Sequence, residues 1–546
     1  MTQALNNPAL LSLAAAVQRA YELHAHSVNC QEPWRLFAQA LEAFDALPVG
    51  DALGVLEQLD GDVFLQPLAL TLARRATERF PEQWRSWYHL GRNLLVGNPD
   101  SAAAHPALER AWELSPESRV EFAVCLSAAY LGAKRWKDAE RICRQMLEWQ
   151  PACADAYSNL SIALRRQYQP EAAVEAARQA LQYEPDHYHA PSNLVLALVD
   201  GCQFDEALAT AREYLSRRPA DGRLGLPMAE LELRLGQWET GWANMDARFA
   251  AIPQLGAQLE TREHHVGVPY WRAEPLAGKT LGIWLEQGYG DAILLIRFLP
   301  RFAQIVREQG GKLVFGCFGP LAELFRPLIP DDVEMDIDQL RPTDYHLPLM
   351  SACGAFGITE ADVSGASYLK APAQGASKWR RRLKRDPRLH IALAWTGNPE
   401  QVRNDVRSLG LPELLELLGQ EGVLFHSVNP DVAHVVSELA AQGLPIVDQS
   451  AELSSFADTA ELLKAVDAVV STCTSTAHLA GAVGAPTLLL LDKVGSFLWR
   501  SDTQRTPWYD SIRILRQGQL GDWSPVMARL RQHLANQARA KAKRPV

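Results

Sequence analysis

Apolar residues recur at helical spacing near the start of the chain: Leu10, Leu11, Leu13, Ala14 and Val17, then Leu36, Phe37, Leu41 and Phe44. Each set lies on one face of a helix with about 3.6 residues per turn, so residues 1–45 are expected to hold N-terminal helices. From 46 to 255 the helical pattern gains a longer period. Prolines stand at Pro81, Pro116, Pro151, Pro185, Pro219 and Pro253, spaced 34 or 35 residues apart. Twelve positions before each lies a small residue, Ala69, Ala104, Ala139, Ala173, Ala207 and Gly241, and three further back come Trp136, Pro170, Phe204 and Trp238. The small position lets two helices approach closely, the bulky one fills the gap between neighbours, and the proline begins a new unit where a helix must stop. Beyond residue 267 short apolar runs bounded by turns replace this pattern. TLGIWLEQ reads as a strand, GYGD as a glycine-rich turn, AILLIRFLPRFAQIVREQGG as one helix and KLVFGCF as a second strand. LHIALAWTG, VLFHSVNPD and AVVST follow as further strands, the last running into a helix over Thr476–Val483 that Gly484 and Pro486 stop before TLLLLD.

The 34-residue period resembles the tetratricopeptide repeat family, in five or six units. The resemblance implies an α-superhelix that displays a surface to a peptide or protein. The fold class expected is therefore α followed by α/β, a repeat superhelix leading into a pair of Rossmann-like lobes. The expected domains are the N-terminal helices at 1–45, the repeats at 46–255, a first lobe at 256–375, a second lobe at 376–530 and a basic disordered tail at 531–546.

With 546 residues, two to four domains are expected. A hydrophobic content of 47% and a charged content of 22% exclude a wholly disordered chain, and a net charge of -10 gives no reason to expect nucleic acid as the partner. The run KWRRRLKRDPR is most simply one solvated amphipathic helix at a linker. Eight cysteines form no CxxC pair and no metal-ligand spacing with histidine, so no metal site is expected, and reduced thiols of a cytoplasmic protein are. Neither a signal peptide nor a membrane span is expected, and homo-oligomerisation is left open.

Candidate chemistry collects at the strand ends. The helix after AVVST starts at Thr474 and Ser475, and its first-turn N–H groups and dipole favour an anion. A diphosphate would satisfy both, with His478 one turn inside. Thr396, Gly397 and Asn398 end another strand, Arg403 and Arg407 follow in a polar segment, and Asn429 ends a third. Open parallel sheets bind ligands at such ends. No Walker-type phosphate loop occurs, and GYGD fits no dinucleotide fingerprint, so a nucleotide is expected as the carrier of a transferred group and not as a cofactor.

EQGYGDAILLIRFLP, WTGNPEQVRND, SLGLPELLELL and FADTAELLKAVDAVVSTCTSTAHLAGAVGAPTLLLL, preceded by repeats, resemble the bacterial repeat-containing glycosyltransferases whose catalytic part is similar to the heptosyltransferases. The resemblance implies a GT-B fold, no metal, no cofactor beyond a nucleotide-sugar substrate, and transfer in a cleft between an acceptor lobe and a donor lobe. Carried over, Asp291 matches the general base, with Gln287, Gly288, Gly290 and His346 on the acceptor side. Arg407 matches a basic position near the donor phosphates, with Arg403 as its understudy, and Thr474, Ser475 and His478 match the donor turn. Cys473 stands where many members carry Asp. The acceptor implied is a protein hydroxyl presented through the repeats, with flagellin the favoured example although no residue specifies it. Two alternatives stay open at this point: a non-catalytic adaptor with a degenerate nucleotide-sugar fold, and another GT-B enzyme such as a sugar-nucleotide epimerase or a lipid-oligosaccharide transferase.

Overall fold

A computed structural model describes residues 32–59, 66–98, 101, 103–115, 120–219, 222–252, 255–256, 267–286, 288–399, 401, 403–499 and 503–543. The expected helix at residues 10–17 lies outside them. The chain forms two compact units, Met1–Leu198 and Val199–Val546.

The first unit is built of antiparallel helix pairs. Trp84–Gly97 is followed by Ala104–Leu114, Val120–Gly132 by Trp136–Trp149, and Ala154–Arg166 by Pro170–Tyr183. The repeat logic is visible residue by residue. Trp136 and Pro170 open the second helix of their pairs, and Ala69, Ala104, Ala139 and Ala173 are fully buried where helices cross. Aromatic pairs, Tyr88 on Phe122 at 5.2 Å and Trp112 on Trp149 at 5.8 Å between ring centroids, fill the wider gaps between repeats.

The second unit opens with Phe204–Arg217, Gly222–Arg234 and Trp238–Asn244, which continue the same pattern: Phe204 and Trp238 begin helices, and a Cβ on Gly241 would stand 2.7 Å from Leu233. Two parallel sheets follow. The first joins β1 (Thr280–Trp284), β2 (Lys312–Cys317), β3 (Glu334–Ile337) and β4 (Tyr345–Pro348) in the order β3-β2-β1-β4. The second joins β5 (Leu389–Ala394), β6 (Val423–Ser427), β7 (Ile446–Asp448), β8 (Ala468–Thr472), β9 (Thr487–Leu491) and β10 (Ile512–Arg516) in the order β10-β9-β8-β5-β6-β7. β5 and β8 are buried at every position, as strands covered by helices on both faces must be. The α plus α/β class is thus the one expected.

Two elements depart from the sequence reading. The helix expected after GYGD is two, Tyr289–Leu295 and Leu299–Glu308, joined by a 3-10 turn at Ile296–Phe298. Pro300 has no N–H to continue the helical ladder, so the chain breaks there and restarts with the proline in the new first turn. The tail expected to be disordered from residue 531 is instead helical to Ala542, in Ser524–Ala542. Its Val526, Met527, Leu530 and Leu534 bury a stripe in the second lobe's core, and Lys541 pairs with Asp467 at 2.6 Å. The helix Ala373–Leu383 contains most of the basic run, with Trp379 and Leu383 buried.

The last repeat packs directly on the first lobe. A Cβ on Gly354 would meet the Trp242 carbonyl oxygen at 2.7 Å, and Trp238 stacks on Trp508 of the second lobe at 5.3 Å.

Candidate functional site

Each sheet reverses direction once. In the first, β1 leads to β2 on one side while β4 returns to its other side; in the second, β5 leads to β6 and β8 returns beside it. The loops leaving such neighbours diverge and open a crevice at the carboxyl ends of the strands, which is where open parallel sheets hold ligands. Glu286, Asp291, Leu349 and Met350 lie at the first crevice, and Thr396, Gly397, Cys473 and Thr474 at the second.

The two crevices meet. A Cβ on Gly290 would stand 3.2 Å from the His478 ring and 3.6 Å from Ser475 Cα, so only glycine fits the first turn against the second without displacing a neighbour. Gly288 caps the helix Tyr289–Leu295, and Asp291 sits in its first turn with its N–H bonded to the Gly288 carbonyl at 3.1 Å. Burial drives the Asp291 carboxyl up to about 6, with Arg248 pulling the other way. Asp291 and Glu286 line a small recess whose walls are otherwise the apolar Leu285, Ala292, Leu295, Leu349 and Met350. Gln287 lies outside the described residues.

On the facing side the helix Ser475–Ala482 points its N-terminus into the crevice. Its cap residue Thr474 shares a hydrogen bond with Ser471 Oγ at 3.1 Å and makes none back to the helix, so the threonine hydroxyl does not cover the first-turn N–H groups. Arg407 donates to the Cys473 carbonyl at 2.8 Å and to Asn404 Oδ1 at 3.1 Å, and its guanidinium fills the space a Cβ on Gly397 would need, 2.4 Å away. Burial lowers its pKa, which leaves it a cation at any ordinary pH. Thr396 takes hydrogen bonds from Ser408 at 2.9 Å and Asn404 at 3.3 Å, and its carbonyl accepts from Asn429 at 3.4 Å. The Asn398 carbonyl accepts from the Gln401 N–H. Arg407, Thr396, Gly397, Asn429, Cys473, Thr474 and Ser475 are thus brought together around one strand-end loop system.

Three candidates are placed otherwise. Arg403 bridges two buried carboxylates, Asp200 at 3.0 Å and Asp492 at 3.1 Å, and its charge is spent there. His478 is buried, stacked on Trp499 at 5.2 Å, with Nδ1 3.1 Å from the Tyr509 hydroxyl. Burial holds its pKa down at about 3, so it is a neutral ring. His346 is a core residue of β4, bonded to Trp284 Nε1 at 3.1 Å and held near 4 by burial, and it does not line the recess.

Sequence reasoning missed three charged groups. Glu286 is held by Arg248, an ion pair of 2.6 Å spanning 38 residues. Glu230, on the helix Gly222–Arg234, is raised to about 7 by burial, with Arg403 and Asp291 close enough to act on its charge. A residue on a repeat helix carries no local signal that it faces a strand end. The EQ preceding GYGD was the one available hint to Glu286.

Residues 164–226 match the tetratricopeptide repeat family. Protein FlbA of Caulobacter vibrioides is 27% identical over 337 residues, which cover 55% of this chain and 53% of that protein. The chain thus spans about half the length of the curated relative it matches. Among solved structures, a thermophilic tetratricopeptide repeat protein of Thermus thermophilus is 23% identical, covering 34% of this chain and 100% of its own, with a TM-score of 0.29. A glycosyl transferase family 9 structure from Veillonella parvula is 10% identical, covering 45% of this chain and 88% of its own, with a TM-score of 0.33. Among the described residues no group of three or more His, Cys, Asp or Glu side chains could hold a metal ion, and no helix is long and apolar enough to cross a membrane.

Proposed function

We propose that the protein is a metal-independent glycosyltransferase that moves a sugar from a nucleotide-sugar donor to an acceptor hydroxyl. The observation that carries this reading is the meeting of two unlike crevices, one with a carboxyl tuned to about 6 and one with an uncovered helix N-terminus beside a fixed arginine. In this reading Asp291 takes the proton of the acceptor hydroxyl. The acceptor oxygen forms its bond to the anomeric carbon, the bond from that carbon to the diphosphate breaks, and the electron pair leaves on the nucleoside diphosphate. Arg407 and the first-turn N–H groups of Ser475–Ala482 stabilise that charge, each charge-assisted bond contributing roughly 1.5–3 kcal/mol. A carboxyl with a pKa near the working pH is well matched to general-base work. The acceptor is a protein, bound through the repeats and modified in the cytoplasm, with flagellin as the example the sequence resemblance favours.

The test is a thermal-unfolding panel with ADP, UDP, GDP, CDP and dTDP. One of them at about 100 times its dissociation constant adds roughly 2.7 kcal/mol to the unit that binds it. A rise in the unfolding temperature with one nucleotide, lost in Arg407→Ala, is the expected result. No rise with any of them overturns the reading in favour of an adaptor.

A further inference from the structure

The recess beside Asp291 holds a second carboxylate that is only half used. Glu286 follows β1 and is 7% exposed. Its Oε2 accepts from Arg248 Nη2 at 2.6 Å and from Nε at 3.3 Å. Arg248 is itself fixed by the Met245 carbonyl at 2.9 Å, by Asp246 at 3.0 Å and by Ser351 Oγ at 2.7 Å. Ser351 and Tyr270 in turn donate to the two oxygens of Asp246, at 2.6 and 2.5 Å. With one oxygen clamped in this way, the carboxylate plane cannot swing. The other oxygen, Oε1, is buried and has no hydrogen-bond partner among the described residues.

A buried acceptor atom without a donor is costly, and structures rarely keep one without a reason. The apolar walls of the recess offer no donor, so the donor comes from solvent or from whatever displaces it. What enters, on the reading above, is the acceptor. We propose that Glu286 is an acceptor-binding residue whose Oε1 takes a hydrogen bond from an O–H or N–H next to the hydroxyl that Asp291 deprotonates. The inference rests on the glycosyltransferase reading and narrows its substrate class: the reacting hydroxyl has a second hydrogen-bond donor beside it. A plain alcohol lacks that group. A vicinal diol has it as the neighbouring hydroxyl, and a serine or threonine within a peptide has it as its own amide N–H. Burial pushes the Glu286 carboxyl up and Arg248 pulls it back down; its role here is to bind, and it exchanges no proton with the substrate.

The experiment uses the full chain with the nucleotide sugar corresponding to the nucleotide that raises the unfolding temperature. Ethanol, glycerol and N-acetylserinamide are supplied as acceptors, and the ratio of sugar transfer to donor hydrolysis is read for each. The expected result is a ratio roughly tenfold or more higher for glycerol or N-acetylserinamide than for ethanol, the size of one good hydrogen bond to a charged group. Which of the two wins separates a diol acceptor from a peptide acceptor. In Glu286→Gln the clamped oxygen stays on Arg248 and an NH2 donor faces the recess, so the preference over ethanol collapses. Equal ratios in the wild type, or a preference that survives in Glu286→Gln, overturn the inference. Should the variant fail to fold, the wild-type comparison alone decides. A wild type that consumes no nucleotide sugar overturns the glycosyltransferase reading and this inference with it, whereas one that consumes donor without preference overturns the inference alone.

Discussion

The two crevices are made by the same topological device and then equipped in opposite ways. At the end of β1 the chain supplies the buried Glu286 and the half-buried Asp291 among apolar walls, with Arg248 clamping one oxygen of Glu286. At the ends of β5 and β8 it supplies backbone N–H groups, small hydroxyls and Arg407, and the acid that the family resemblance leads one to expect is Cys473. One side suits a group that gives up a proton, the other a group that acquires negative charge. A shared topological device thus carries no function by itself; the chemistry comes from what each loop places at the switch point.

The largest effect expected is on the acidic side. Asp291→Asn keeps the shape of the turn and removes the base, and transfer falls roughly 10²–10⁴-fold. A steady-state assay checks this, and a loss of less than tenfold would move the base elsewhere, with Glu230 the first place to look. The same carboxyl sets a pH dependence. Its folded pKa of about 6 lies above the ordinary carboxylate value, so the folded state holds the proton more tightly than the unfolded chain does. The native state therefore loses stability as pH rises from about 4 to about 6, by on the order of 2 to 3 kcal/mol, and this loss is absent in Asp291→Asn. Activity runs the other way and climbs through about pH 6 as the base ionises.

Next come the two arginines of the opposite side, of which the sequence resemblance put Arg407 first and Arg403 second. Arg403→Ala leaves Asp200 and Asp492 buried without their cation and costs roughly 3–5 kcal/mol of stability. The unfolding temperature of the second unit falls accordingly. Arg407→Ala touches no buried carboxylate and costs mainly ligand affinity, roughly 10- to 100-fold in nucleoside diphosphate binding by titration calorimetry. If the two variants exchange these signatures, the assignment of Arg407 to the phosphates is wrong.

Why one half of this pattern was legible and the other was not follows from the range of the contacts. The repeats announce themselves because Ala139, Ala173 and Ala207 must be small at a fixed distance from the next turn, a constraint within one unit. Thr474 and Arg407 were found because strand-end turns carry local composition, and Asp291 through the family resemblance of EQGYGD. Glu286 needed knowledge of Arg248, 38 residues earlier, and the neutrality of His478 needed Trp499 and Tyr509, 21 and 31 residues later. The helical tail was misread for a related reason. Basic residues dominate its composition, while the stripe of Val526, Met527, Leu530 and Leu534 that holds it is defined only by the lobe it covers.

The smallest effect concerns Cys473, and it separates two meanings of an acid replaced by a thiol. Its Sγ accepts a hydrogen bond from Trp499 Nε1 at 3.1 Å, and burial raises its pKa, so at neutral pH it is a thiol and a poor nucleophile. The indole it holds is the one stacked on His478. Cys473→Ser keeps an acceptor for the indole N–H and is expected to change neither melting temperature nor transfer rate. Cys473→Ala leaves that N–H without its partner and costs roughly 1–2 kcal/mol, read as a lower unfolding temperature with transfer retained. Loss of transfer in both variants would mean that the sulfur itself takes part in the chemistry, and the second crevice would then have to be read as a reacting centre and not as a cradle for departing charge.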